Sequence, residues 1–185
     1  DNIDRAIKKG EGNDPDSNYE EVRYEGYGPS GIAIIVEAMT NNKNRTAAEI
    51  RSTFGKYGGN LGESGSVSYS FKRLGEIFID KKLAQEDELF EFAVENGSKD
   101  LEVNDDSYAI YCDQNQLHTL NEKIIKKFGE TSSSQLTWKS ENNIDVNKDT
   151  ADQLFKLLNT LEDNDDVQNI SSNFEVNEEI LVSLT

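Results

Sequence analysis

Side chains that usually carry covalent or metal chemistry are scarce in this chain. It has one histidine, His118, and one cysteine, Cys112, so no cluster of His and Cys can enclose a metal ion. No G-x-S-x-G elbow or other nucleophile–base motif is found. Cys112 closes the apolar run Tyr108–Cys112, where a packed, inert thiol is the expected state. His118 opens a predicted helix as a surface or capping residue. The composition points away from catalysis, and no cofactor or metal is expected.

Two patterns imitate ligand sites without completing them. Gly58, Gly59, Gly62 and Gly65 suggest a phosphate loop, but they follow a predicted helix and precede a predicted strand, the reverse of a P-loop, and no G-K-[ST] closes them. They read as a helix stop and a loop, with a backbone nest for phosphate as the alternative. The acidic run Leu161–Asp166 lacks the central glycine and distal glutamate of a calcium loop and reads as a solvated helix end. Asp105-Asp106 reads as a hairpin turn.

What remains is electrostatic. Thr40–Gly75 holds Lys43, Arg45, Arg51, Lys56, Lys72 and Arg73 against Glu49 and Glu63, a net of +4. The whole chain stands at −17, with 19 Lys and Arg against 36 Asp and Glu; the rest therefore holds thirteen cations against thirty-four carboxylates, or −21. A basic island in so acidic a chain is either an ordinary solvated face or a surface for phosphate. Tyr27, between Gly26 and Gly28, is the aromatic most open to exposure; it could stack on a base or pack over its turn. Tyr19, Tyr24, Tyr57, Tyr69, Phe71 and Tyr111 are mostly core by their alternation. At −17 the body repels nucleic acid and anionic membranes at long range, so any such contact must be local.

The elements that position these residues follow from periodicity. Asp1–Gly12 reads as the end of a helix, with Ile3, Ala6 and Ile7 on one face, and Asn13–Asn18 as a linker. Tyr19–Glu25 alternates, placing Glu21, Arg23 and Glu25 outward; Ile32–Met39 is a nearly wholly apolar, central strand. Thr46-Ala47-Ala48-Glu49 matches a capping box and starts a helix burying Ala47, Ile50, Phe54 and Tyr57, with Arg45, Glu49, Ser52 and Lys56 opposite. Ser66–Lys72 alternates as a strand, with Val67, Tyr69 and Phe71 inward.

The middle reads strand Glu76–Asp80, helix Ala84–Asn96 (burying Leu89, Phe90, Ala93 and Val94), strands Asp100–Val103 and Tyr108–Cys112, helix His118–Phe128 and strand Gln135–Lys139. That β-α-β-β-α-β order is ferredoxin-like. A second capping box, Thr150-Ala151-Asp152-Gln153, opens a helix with Ala151, Leu154, Phe155, Leu158 and Leu161 on one face, and Asn169–Val176 reads as a strand before a short terminal turn. The outer strands and helices each lack cover alone. Together they predict an α+β chain: a discontinuous four-stranded domain, 19–75 with 145–185, into which a ferredoxin-like domain, 76–144, is inserted. A length of 185 residues, 35% of them hydrophobic, suits two small, polar domains. The longest apolar run, Ile32–Val36, falls far short of a membrane span. A lone cysteine suits a reducing compartment, the cytoplasm or the mitochondrial matrix.

Residues 23–71, RYEGYGPSGIAIIVEAMTNNKNRTAAEIRSTFGKYGGNLGESGSVSYSF, closely resemble the YebC/PmpR family, as do NIDRAIKKG (2–10) and LEDNDDVQNI (161–170). The resemblance covers both ends and the first domain; the middle matches in pattern more than in residues. It implies an N-terminal helical domain followed by two α/β domains, one inserted in the other. That first domain opens near G-H-S-K-W-A in the family; here Asn2–Gly10 corresponds to its last helix and the rest is not in the sequence. The family is described as DNA-binding transcriptional regulators, with mitochondrial relatives that activate translation and a ribosome-associated role. The expectation is a regulator that contacts DNA or RNA through Lys43, Arg45, Arg51, Lys56, Lys72, Arg73 and Tyr27, together with the basic N-terminal domain. The other reading is an acidic module that binds a basic protein, such as one of the ribosome.

Overall fold

The computed structural model describes residues 18–184. Asp1–Gly12 and the linker up to Ser17 lie outside the described residues. The fold is α+β and divides into two compact units, one formed by residues up to Lys72 together with Ser140 onward, the other by Arg73–Lys139.

In the first unit, strands β1 (Glu20–Tyr27) and β2 (Ala33–Thr40) form an antiparallel hairpin with Tyr24 opposite Val36. The turn between them needs tight backbone: Gly31 sits at φ 73°, and a Cβ on Gly28 would lie 2.9 Å from Ile34 and 3.1 Å from Leu154. Helix α1 (Lys43–Lys56) follows, then the short strand β3 (Asn60–Leu61) beside β1. Much later in the chain, helix α4 (Lys148–Glu162) and strand β9 (Val167–Ser172) complete the layer, giving the sheet order β3-β1-β2-β9. Ile34 and Val36 of β2, Ile50 and Phe54 of α1, and Leu154, Leu157 and Leu161 of α4 form one core, all at or below 1% exposure. Each such side chain contributes roughly 1.5–3 kcal/mol on burial. Asn173, itself buried, ties the outer segments to β2: its side chain accepts from the Ala33 amide at 2.9 Å, and its own carbonyl accepts from the Ile144 amide at 2.7 Å. Strands β8 (Ile144–Asp145) and β10 (Phe174–Glu175) pair in parallel beside it, and α5 (Glu178–Leu184) ends the described chain.

The second unit runs β4 (Phe71–Asp80), α2 (Glu86–Glu95), β5 (Ser98–Val103), β6 (Ser107–Asp113), α3 (Leu117–Phe128) and β7 (Ser133–Ser140). Its sheet order, β5-β6-β4-β7, is that of a ferredoxin-like fold. Ile77, Ile79, Ile110, Leu89, Leu120 and Ile124 form its core.

Several expectations need correction. Ser66–Lys72 is no strand: Ser68–Ser70 is a 3-10 turn, Tyr69 is 75% exposed, and β4 begins only at Phe71, absorbing the strand expected at Glu76. Its place among the four strands of the sheet is taken by β3, at the edge beside β1. Neither capping box is used. Asn42 and Asn147 are the caps, accepting from the Arg45 amide at 3.1 Å and the Thr150 amide at 2.9 Å. Asparagine at the cap fits the first free amides as well as threonine does, so both helices start earlier than expected. The helix expected from Ala84 starts at Glu86, with Leu89 and Ala93 inward and Phe90 and Val94 about half exposed. The strand expected through Val176 breaks at Asn173 into β9 and β10. Glu25, expected outward, is 1% exposed.

Candidate nucleic-acid interface

Glu25 explains the glycine-rich loop. β1 delivers its carboxylate beneath residues 62–70, where it accepts from the backbone amides of Gly65 at 2.7 Å, Ser68 at 2.7 Å and Val67 at 3.2 Å, with Arg23 Nε at 3.3 Å. Burial pushes this carboxyl upward, but the amide donors outweigh it and hold it below its ordinary value of 4.5. The loop is thus an anion nest, as its glycines suggest, but the anion belongs to the protein itself. The Gly62 amide donates to the Glu25 carbonyl at 2.8 Å, which closes the loop's other side. The signal in the sequence was a glutamate at the end of an alternating strand; the partner amides, forty residues on, left no local mark.

The six cations take different positions. Lys43, Arg45, Arg51 and Lys56 all lie on α1, whose inner face carries Thr46, Ile50 and Phe54. Arg45 and Lys56, roughly three turns apart, share its outer stripe. Lys43 pairs with Glu20 at 2.7 Å and Lys72 with Glu141 at 2.8 Å, all four side chains being well exposed. Such surface pairs hold with only about 0–1 kcal/mol and yield readily to a phosphate. Arg45 differs: its guanidinium meets Asp166 at 3.1 Å, and that carboxylate is nearly buried. Asp166 also lies 2.8 Å from the Thr46 hydroxyl, which is 2.7 Å from that of Thr40. A carboxylate only accepts, so Thr46 donates to it. Arg51 and Lys56 form no ion pair among the described residues; Lys56 lies 5.3 Å from the Tyr57 ring centre. Arg73 belongs to the second unit, 5.0 Å over the Trp138 ring. Tyr27 is half-buried, its hydroxyl donating to the Ser66 carbonyl at 3.1 Å.

The described TACO1/YebC second and third domain matches residues 19–174 of this chain. The chain belongs to the TACO1/YebC family. The family carries a transcriptional-regulator label. A crystal structure of a conserved hypothetical protein, Aq1575, from Aquifex aeolicus is similar throughout: 44% identity and a TM-score of 0.86, over 97% of this chain and 74% of that one.

Within the segment shared with the TACO1/YebC family, Asp163–Asp166, the end of the acidic run, form one wall of an open polar groove of about 660 Å³, lined also by Tyr19, Asn41, Arg45 and Glu49. Asn164 shapes it, donating to Glu49 at 2.8 Å and accepting from the Asp166 amide at 2.9 Å. A groove with so many carboxylates disfavours phosphate and favours cationic groups. Among the described residues, no group of three or more His, Cys, Asp and Glu is arranged to hold a metal ion. Cys112 is fully buried, and burial raises its thiol; His118 is exposed, 3.2 Å from Glu122. No described helix is long and apolar enough to cross a membrane.

Proposed function

We propose that this chain belongs to a nucleic-acid-associated regulator of gene expression, acting by binding rather than catalysis, in the cytoplasm or the mitochondrial matrix. The observation that supports this most is the pair Arg51 and Lys56: both are exposed on α1 and uncommitted to any carboxylate among the described residues, in the one stretch of net positive charge singled out by composition. Lys43 and Lys72 add charge whose exposed partners exchange easily. RNA, in the setting of the ribosome, suits this chain better than a promoter. A body at −17 is a poor reader of duplex DNA, and α1 lays its inner face on the sheet with its cations spread along the helix instead of gathered at one end as in a recognition helix. The family's transcriptional label favours DNA, and the test compares both. Binding of the chain and of an Arg51→Glu, Lys56→Glu variant to single-stranded RNA and duplex DNA across salt decides the matter. Reversal that leaves affinity and salt slope untouched removes the reading.

The acidic groove supports a second reading, in which this body binds a basic protein. The two are compatible where a factor meets ribosomal protein and RNA on different faces. Capture from lysate at low and high salt tests it; recovery of nucleic acid alone, with no protein partner, counts against it.

A further inference from the structure

We infer that Tyr69 is a stacking platform for an unpaired base of single-stranded RNA, an inference that rests on the nucleic-acid function proposed above. Its ring is 75% exposed, against the inward position that alternation assigns it. An isolated exposed aromatic on a loose loop carries no meaning. This one is held. Val67, fully buried, and Phe71, 6% exposed, anchor the chain on either side of it. The amides of Gly65, Val67 and Ser68 are fixed on the Glu25 carboxylate, the Ser70 amide donates to the Val67 carbonyl at 3.0 Å, and the Ser70 carbonyl accepts from the Glu141 amide at 3.2 Å. Beside it, the Tyr27 hydroxyl donates to the Ser66 carbonyl at 3.1 Å, and interaction with Tyr69 is the main cause that pushes the Tyr27 phenol up. The ring is therefore presented by a rigid turn, and a partner that stacks on it meets little ordering cost.

The surroundings select the partner. Gly62, Glu63, Ser64 and Gly65 are exposed, Ser68 and Ser70 flank Tyr69 in sequence, and Lys72, three residues on, carries an exposed amine that pairs with the exposed Glu141 at 2.8 Å. Among the described residues, those next to Tyr69 in this loop are small or polar, unlike the apolar collar of a protein hot spot. A flat aromatic beside small hydroxyls and a lysine matches a base with its neighbouring sugar and phosphate. Bases inside a duplex offer no free face, so the strand must be single.

The test measures the anisotropy of labelled oligoadenylate and of an abasic ribose-phosphate strand of equal length, with the chain, Tyr69→Ala, Tyr69→Phe and the Arg51→Glu, Lys56→Glu variant, plus duplex DNA as a further probe. Tyr69→Ala weakens oligoadenylate binding about tenfold, within the range of one base–aromatic stack. It leaves the abasic strand and the melting temperature unchanged, and Tyr69→Phe, which keeps the ring, binds like the parent. Stacking is overturned, and the function reading stands, if Tyr69→Ala binds oligoadenylate like the parent while the charge-reversed variant does not, or if the chain takes duplex DNA alone. Equal weakening on both strands also overturns stacking, because the loss then concerns the sugar-phosphate backbone that the two strands share. If the parent binds none of the probes, the function reading falls and the stacking falls with it.

Discussion

The Glu25 carboxylate and the Gly65 amide meet at 2.7 Å across forty residues of chain, and this contact decides how the glycine-rich loop behaves. Because the folded carboxyl lies below 4.5, its ionised form is favoured by folding. The stability it contributes is complete above the unfolded value and is lost as pH falls through the folded one. Glu25→Gln places an amide donor among backbone donors, at a cost of about 1–3 kcal/mol at neutral pH. Urea unfolding from neutral to acid pH should show the gap between parent and variant closing below pH 4.5. A constant gap would contradict the role of the charge.

Asp166 and Arg45 contribute unequally although they touch. Asp166→Asn or Thr46→Val disrupts a buried hydrogen bond and should cost about 1–3 kcal/mol. Arg45 is half exposed, and Arg45→Ala should cost less than either of these. A double-mutant cycle from chemical denaturation should assign the larger coupling to Thr46–Asp166. A larger Arg45–Asp166 coupling would mean that the ion pair organises the α1 terminus.

Helix starts give a sharper contrast. Asn147→Ala removes the acceptor of the Thr150 amide and should lower stability by about 0.5–2 kcal/mol. Thr150→Ala keeps the cap and removes an exposed contact with Ser30, so its effect should stay within about 0.5 kcal/mol. Thermal unfolding of the two single variants separates them; equal losses would restore Thr150 as the cap.

That pair also shows what was readable from the chain. Strands and helices whose apolar residues repeat regularly, β2 and α4 above all, were legible because a core imposes its period on them. The insertion of one α/β element set in another was legible because the outer strands lacked cover. The third strand was not. Ser66–Lys72 alternates as a strand does, yet Val67 and Phe71 are anchors either side of a 3-10 turn, and only a buried carboxylate distant in sequence distinguishes the two cases. Likewise the island at 40–75 was visible as composition, whereas the withdrawal of Arg45 by Asp166 depends on a contact 121 positions away.

In the second unit, Leu89 and Phe90 are neighbours with opposite fates. Leu89 is fully buried between α2 and its sheet, and Phe90 is half exposed. Leu89→Ala should cost about 2–5 kcal/mol through lost transfer energy and a residual cavity. Phe90→Ala should cost far less, about 0.5 kcal/mol, as for a surface change. Denaturant midpoints check this, and a large loss at Phe90 would reveal that its outer face is covered in solution.

On the proposed function, the salt dependence of binding to RNA tests how many cations serve. Six phosphate contacts would give a slope near −5 on duplex DNA. The geometry allows fewer. Arg45 is held by a nearly buried carboxylate beside an acidic groove, and Arg73 lies over Trp138 in the other unit. Lys43, Arg51, Lys56 and Lys72 remain, and four contacts on a single strand give about −3. Reversing Arg51 and Lys56 should therefore flatten the slope by about 1.4, at roughly 0.7 per contact. Arg45→Glu should leave the slope unchanged, because that side chain neutralises a carboxylate of its own protein and releases no counterion from the strand. Titrations at several salt concentrations, with each variant's fold checked by circular dichroism, measure this directly. A slope that responds to Arg45→Glu as strongly as to Arg51→Glu would mean that RNA displaces Asp166 from Arg45, and that the acidic groove opens when the strand binds.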